Sequence, residues 1–172
     1  MILMEQRTLG RTGRDVSVVG QGTWQLGGDW GEVAEDDAFG VLDAAVESGV
    51  TFFDTADVKD TVFGPEDHRT YNRHGEAFDR GETFSGIDYA TGVAAAAEFA
   101  ELAPEGATPA QTALRWIIQQ PGVTSVIPGA RSVEQARANA AAAALPPLPQ
   151  ATLDAVRDLC DRSIRAEVHD RW

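Results

Sequence analysis

Apolar positions along the chain follow two rhythms, short strand-like runs and helix-like stripes, separated by a long stretch with neither. Arg7-Thr8-Leu9-Gly10 and Arg11-Thr12-Gly13 lead into Val16-Ser17-Val18-Val19-Gly20, which predicts a hairpin running into a first buried strand. Glu35, Asp36 and Asp37 then crowd one point, where negative charge suits the positive end of a helix dipole. Behind them Ala38, Val41, Leu42, Ala45 and Val46 recur at i, i+3, i+4, i+7 and i+8, one apolar stripe of a helix. Gly49 stops it, and Thr51-Phe52-Phe53-Asp54 reads as the next strand. Strand, helix and strand in that order predict a right-handed parallel βαβ unit.

From Asp60 to about Thr91 the pattern disappears: charges, glycines and prolines are scattered among Phe63, Tyr71, Phe78, Phe84 and Tyr89. So long an aperiodic segment is a functional flap or disorder more often than a packed connection. Periodicity resumes with an alanine-rich helix over Val93 to Leu102. Thr108-Pro109-Ala110-Gln111 supplies an N-cap, a first-turn proline and a capping-box glutamine for a helix carrying Ala113, Leu114, Ile117 and Ile118. Val123 to Ile127 reads as a third strand, ended by Pro128-Gly129. Ser132-Val133-Glu134-Gln135 reads as a second capping box and opens a helix through about Ala144. After a stiff bend at Pro146, Pro147 and Pro149, a last helix places Leu153, Val156, Leu159 and Cys160 on one face. No internal repeat is visible.

Composition narrows the partners. The formal net charge of −13 repels phosphate backbones and anionic lipid, which argues against nucleic acid and membrane surfaces. Cys160 is the single cysteine, so no intramolecular disulfide forms and a reducing compartment is expected. Met1-Ile2-Leu3-Met4 runs straight into Glu5-Gln6-Arg7, too short an apolar run for a signal peptide. No run approaches the ~20 apolar residues of a membrane span, and a cytoplasmic location is expected.

The strongest chemical pattern is Ser125-Val126-Ile127-Pro128-Gly129-Ala130-Arg131-Ser132-Val133-Glu134-Gln135-Ala136-Arg137-Ala138-Asn139. A strand delivers the chain to a glycine, and a capped helix begins whose free N–H groups make an anion site. Arg131 stands at its mouth as a planar fork suited to phosphate. Gln135 and Asn139 follow one and two turns on, placed to meet a base or ribose. The plainer alternative is an ordinary capped helix with a solvated arginine. His68, Tyr71 and His74 are three residues apart in the aperiodic segment, but no thiolate or spaced carboxylate set accompanies them, and no metal site is expected. Lys59, the only lysine, reads as a solvated loop residue.

Asp54-Thr55-Ala56-Asp57-Val58, following its apolar strand, resembles the start of the active-site motif of the aldo-keto reductases, NADPH-dependent carbonyl reductases built on a (β/α)8 barrel. The Ser125 to Asn139 run is similar to that family's eighth strand and following helix. By position, the resemblance implies NADP(H) contacts for Gly129, Ala130 and Arg131 at the 2′-phosphate and for Gln135 and Asn139 nearer the adenosine. Gly22-Thr23-Trp24 resembles the segment lining the nicotinamide end, and Asp54 matches the catalytic aspartate. The family's catalytic tyrosine stands five residues after that aspartate, where this chain has Lys59, and the segments for its catalytic lysine and histidine have no counterpart. Residues 7–58 resemble the family's beginning and about 59–172 its end, as if an internal deletion had joined them near residues 58–59.

The resemblance thus implies a single truncated α/β domain over residues 1–172. Residues 1–58 would form the N-terminal βαβ part, 59–91 a long loop and 92–172 the cofactor-binding part. A full (β/α)8 barrel needs roughly 250 residues, so a partial TIM-barrel is expected. It would keep the hairpin, about three parallel strands equivalent to barrel strands 8-1-2, and their helices. The barrel-facing side of Val18, Phe52 and Val126 would lose its opposite wall, and the raw edges would favour self-association. The implied function is an NADPH-dependent carbonyl reductase that is catalytically incomplete but keeps part of its NADP(H) site. The alternatives are a non-enzymatic nucleotide-binding or interaction module, or an enzyme completed by oligomerisation and acting on a small carbonyl substrate.

Overall fold

The computed structural model describes residues 4–27, 33–55 and 87–169. The junction at 58–59, Lys59, His68, Tyr71, His74 and nearly all of the aperiodic segment lie outside the described residues. The described residues belong to two compact units, one drawn from 1–59 and 103–149, the other from 60–102 and 150–172.

In the first unit, β1 (Gln6–Thr8) pairs antiparallel with β2 (Asp15–Ser17), which is the expected hairpin. The chain continues through Val18 and Val19 into β3 (Gln21–Gly22), paired in parallel with β4 (Phe53–Asp54). On its other side Val19 bridges Val126 and Gly22 bridges Gly129, again in parallel. The Val126 N–H donates to Val18 O at 3.0 Å, Gly20 N–H to Val126 O at 2.8 Å and Gly22 N–H to Pro128 O at 3.1 Å. Toward β4, Gln21 N–H donates to Phe52 O at 2.9 Å and Thr23 N–H to Asp54 O at 3.0 Å. Segments 123–129, 18–22 and 52–54 therefore lie side by side with the first strand in the middle, and no closed barrel forms among the described residues.

The strands are shorter than their apolar runs. β4 covers Phe53–Asp54 only, and the Val123–Ile127 run makes isolated bridges rather than a strand. Val126 gives both its N–H and its C=O to the first strand, whereas Ser125 and Ile127 make no backbone hydrogen bond among the described residues, and Pro128 has no N–H to extend the ladder.

α1 (Trp24–Gly27) is a single turn after β3, and α2 (Glu35–Glu47) carries the three acidic residues in its first turn. The buried stripe of α2 is Val41, Ala44 and Ala45, whereas Val46, assigned to the stripe from sequence, is 60% exposed together with Phe39. α4 (Pro109–Ile118) keeps its capping box, follows a helix of the second unit labelled α3 below, and is followed by α5 (Val133–Ala141) and a 3-10 turn at Ala142–Ala144. Arg7 Nη1 donates to Ile118 O and Val123 O, both at 2.7 Å, closing the carbonyl end of α4.

Two clusters hold α2 against α5. Val41 and Ala44 meet Ala130 and Ala136, and Ala45 and Val50 meet Ala140. Alanine at both faces lets the helices approach closely: a Cβ on Gly40 of α2 would lie 3.2 Å from Val133 Cγ2. A third cluster sets Val18 and Val19 against Ile118, with Val126 packed on it. Val18 and Val126 are therefore covered by α4, contrary to the sequence expectation. On the opposite side Gly20, Phe52 and Ile127 meet, and Ile127 is 40% exposed. Alternation along a strand puts neighbours on opposite faces, and the sequence could not say which face α4 would take.

In the second unit, α3 (Tyr89–Ala100) starts earlier than its apolar pattern, because Asp88 caps it by accepting from Thr91 N–H at 3.0 Å. That start lies inside the stretch read as loop over 59–91. α3 packs on α6 (Gln150–Ser163), and Arg162 pairs with Glu98 across them. Leu159 is buried but Cys160 is exposed, so the shared face turns through Leu159 and excludes the cysteine. The tail adds a short helix, α7 (Arg165–Val168).

Candidate functional site

Asp54, Gly22 and Gly129 stand in one row, each opposite the next, at the carboxyl ends of three adjacent parallel segments. With ~4.8 Å between neighbouring strands, Asp54 and Gly129 are separated by on the order of 10 Å of backbone. Thr23 pins one end of the row: its N–H and its hydroxyl both donate to Asp54 O, at 3.0 and 2.9 Å. Trp24 opens α1 and is 55% exposed.

The other end is the turn from Gly129 to Ser132. Ala130 is 1% exposed within the α2–α5 cluster, so its side chain anchors the turn and leaves ligand contact to its backbone. Asn139 Nδ2 donates to Gly129 O at 3.0 Å, and Gln135 Oε1 accepts from Arg131 N–H at 2.8 Å. Ser132 Oγ accepts from Gln135 N–H at 3.2 Å. The second capping box is therefore not reciprocal, because the glutamine amide bonds the residue before the cap. Gln135 and Asn139, placed from sequence toward a base or ribose, both turn back to brace the turn.

This bracing changes the anion site. The Arg131 N–H is taken by Gln135, the Gln135 N–H by Ser132, and Glu134 accepts from its own N–H. That last bond, followed by the Ser132 hydroxyl, holds the Glu134 carboxyl below its ordinary range. The helix start keeps few free donors. Arg131 is exposed, and its guanidinium makes no hydrogen bond or ion pair among the described residues, a state compatible with an anionic ligand.

Gln25 is the residue the sequence did not single out. Its Nε2 donates to Gly22 O at 2.7 Å and to Ala130 O at 3.0 Å, joining the two loops at the edge of the sheet. No spacing motif marks it. Two buried polar atoms, Arg115 Nε on α4 and Ser125 Oγ, have no hydrogen-bond partner among the described residues. Among the described residues no His, Cys, Asp and Glu side chains gather as a metal set, and no described helix is long and apolar enough to cross a membrane.

The profile of the aldo/keto reductase family matches residues 18–66 and 59–161. The chain belongs to the aldo/keto reductase family. It is 48% identical over 56 residues to L-galactose dehydrogenase of Arabidopsis thaliana, covering 33% of this chain and 18% of that protein. It is 46% identical over 52 residues to pyridoxal 4-dehydrogenase of Microbacterium luteolum, covering 30% of this chain and 15% of that protein. Each match spans less than a fifth of the relative's length. The aldo/keto reductase assignment accounts for an α/β chain in which the first strand neighbours both the second and the last. The two profile matches share residues 59–66, which serve as the end of one and the start of the other.

Proposed function

We propose that this chain is the cofactor-holding part of an NADPH-dependent carbonyl reductase whose acid-base machinery is incomplete. The observation that carries this reading is the row of Asp54, Gly22 and Gly129 in register at one sheet edge, with the unpaired Arg131 guanidinium beside it. When bound, NADP(H) supplies the hydride that a carbonyl accepts. Arg131 would pair with its 2′-phosphate beside the Gly129–Ala130 backbone, and Gly22, Thr23 and Trp24 would hold its nicotinamide end. Asn139 and Gln135 act on the same ligand by fixing the turn. Asp54 is held at the reacting end by Thr23, but reduction also needs an acid to protonate the developing alkoxide. The family's tyrosine for that step corresponds to Lys59, and its lysine and histidine have no counterpart. The overlapping profile matches support a junction near residues 58–59 as the cause.

The test is a thermal melt by circular dichroism with and without NADPH. A ligand bound only by the native state raises the midpoint, by about 2.7 kcal/mol of stability at a hundredfold excess over Kd. The expected result is a rise with NADPH that NADH does not match. A midpoint indifferent to both nucleotides overturns the reading.

A second reading, an enzyme completed by association with copies or a partner supplying further strands, draws on the partly exposed Ile127 beside Phe52 and on the absence of backbone hydrogen bonds at Ser125 and Ile127 among the described residues. It predicts a defined oligomer that turns over a small aldehyde with NADPH and loses turnover in Asp54→Asn. A strictly monomeric, inactive species decides against it.

A further inference from the structure

Gly129 has no left-handed backbone angle, so its glycine is not demanded by conformation. It is demanded by space. A Cβ built on it would lie 2.6 Å from Gln25 Oε1, 2.7 Å from Gln25 Cδ and 2.8 Å from Gln25 Nε2. The whole carboxamide of Gln25 rests flat on the bare α-carbon. From there Nε2 spends both its hydrogens on carbonyls of two neighbouring segments, Gly22 O at the end of the first strand and Ala130 O in the turn. The Ala130 carbonyl is one peptide from Arg131, and Ala130 itself is locked from the other side by the α2–α5 cluster.

We propose that Gln25 is a positioning residue: its carboxamide is a strut that sets the Gly129–Arg131 turn against the first strand, and Gly129 is glycine to admit that strut. The role rests on the nucleotide-binding reading for its consequence but not for its geometry. A glycine at this point in a strand-turn-helix reads most simply as room for a ligand phosphate. Here the three atoms nearest its missing Cβ all belong to Gln25.

Two measurements on the full chain test it. The first needs no nucleotide: urea midpoints of Gly129→Ala, Gln25→Ala and the double variant. Gly129→Ala should lower the midpoint in the wild-type background and change it little in the Gln25→Ala background, where the space is vacated. If Gly129→Ala alone fails to fold, recovery of a cooperative transition in the double variant is the expected result. An equal loss in both backgrounds, or no recovery, overturns the strut. The second is the affinity ratio of NADPH over NADH in Gln25→Met, which keeps length and neutrality but donates nothing. Losing the two hydrogen bonds that tie the turn to the first strand should reduce that ratio by about tenfold, toward the value of Arg131→Ala. A lower stability with an unchanged ratio would show that Gln25 merely supports the fold, and overturns its positioning role. Should the wild type bind neither nucleotide, the cofactor reading falls, while the urea cycle still decides whether the strut exists.

Discussion

Replacing Gly20 by alanine probes the spacing on which the three-segment row depends. A Cβ at this position would lie 2.8 Å from Ile127 Cγ2, 2.9 Å from Phe52 O and 3.1 Å from Phe52 Cδ1. The isoleucine methyl can turn away. The Phe52 carbonyl cannot, because it accepts from Gln21 N–H at 2.9 Å, while Gly20 N–H is itself tied to Val126 O at 2.8 Å. The new methyl must either spread the segments or break one of these bonds. Overpacking of this kind costs about 1–3 kcal/mol. For a chain of this size that lowers Tm by roughly 2–12 °C, at about 2–4 °C per kcal/mol.

Thermal melts followed by far-ultraviolet circular dichroism read this directly, with Gly122 as the control. Gly122 has φ +85° and open space around it, so alanine there suffers only backbone strain, about 1 kcal/mol. Asparagine tolerates that left-handed conformation and should recover part of the loss at 122. At 20 the larger side chain should be worse than alanine. If Gly20→Ala melts within about 1 °C of the wild type, the packing argument is refuted.

Other positions give independent tests. Arg7→Met removes both 2.7 Å bonds at the end of α4 and should cost about 1.5–3 kcal/mol, measured as a lower urea midpoint. Arg131→Ala should weaken NADPH binding about tenfold to a hundredfold by calorimetry and leave NADH within about threefold; equal losses would contradict a phosphate role. Asp88 bears on acid stability. Thr91 donates its N–H and hydroxyl to this carboxylate and holds its pKa below the ordinary 3.8. A carboxylate depressed in the folded state stabilises fully above its unfolded value, and that contribution is lost as pH falls through the folded one. The stability difference between wild type and Asp88→Ala should therefore hold steady above about pH 5 and shrink only below about pH 3.8, followed by circular dichroism during acid titration.

Helix starts with a side-chain signature were readable from sequence, and those without one were not. Thr108-Pro109-Ala110-Gln111 gives its capping box as written, because both bonds lie within four residues. Ser132 caps as expected, but its glutamine partner goes to Arg131 N–H, a choice set by where the turn leaves the sheet. Asp88 was hidden by an aperiodic stretch, although Asp88 followed three residues later by Thr91 is all that the cap requires. The order of the three segments was legible from the family resemblance; which face α4 covers was not. Val46 shows the same limit, since a five-residue stripe is wider than the contact α5 makes on α2, and one edge of it faces solvent. Among the site residues, Gly129 was found for its missing side chain, but the reason, a glutamine 104 positions earlier in the chain, leaves no local pattern.

The cofactor half and the chemical half of this site depend on the chain in different ways. Gln25 ties Gly22 to Ala130, Thr23 ties itself to Asp54, Asn139 and Gln135 brace the turn, and Ala130 is clamped between α2 and α5. Every one of these ties begins and ends within the first unit, so none calls on a strand beyond the three that neighbour one another. A barrel that loses strands between its second and its last keeps the adjacency of its eighth, first and second. The aspartate and the turn after the last strand then stay in register, while the tyrosine position just past the aspartate falls at the junction and becomes Lys59 and the segments for the lysine and histidine are lost. Under the proposed function, binding and turnover are separable: nucleotide affinity should survive where carbonyl reduction fails. A preparation in which NADPH raises Tm while single-turnover hydride transfer to an aldehyde is undetectable would bear this out, and transfer at an appreciable rate by the monomer would refute it.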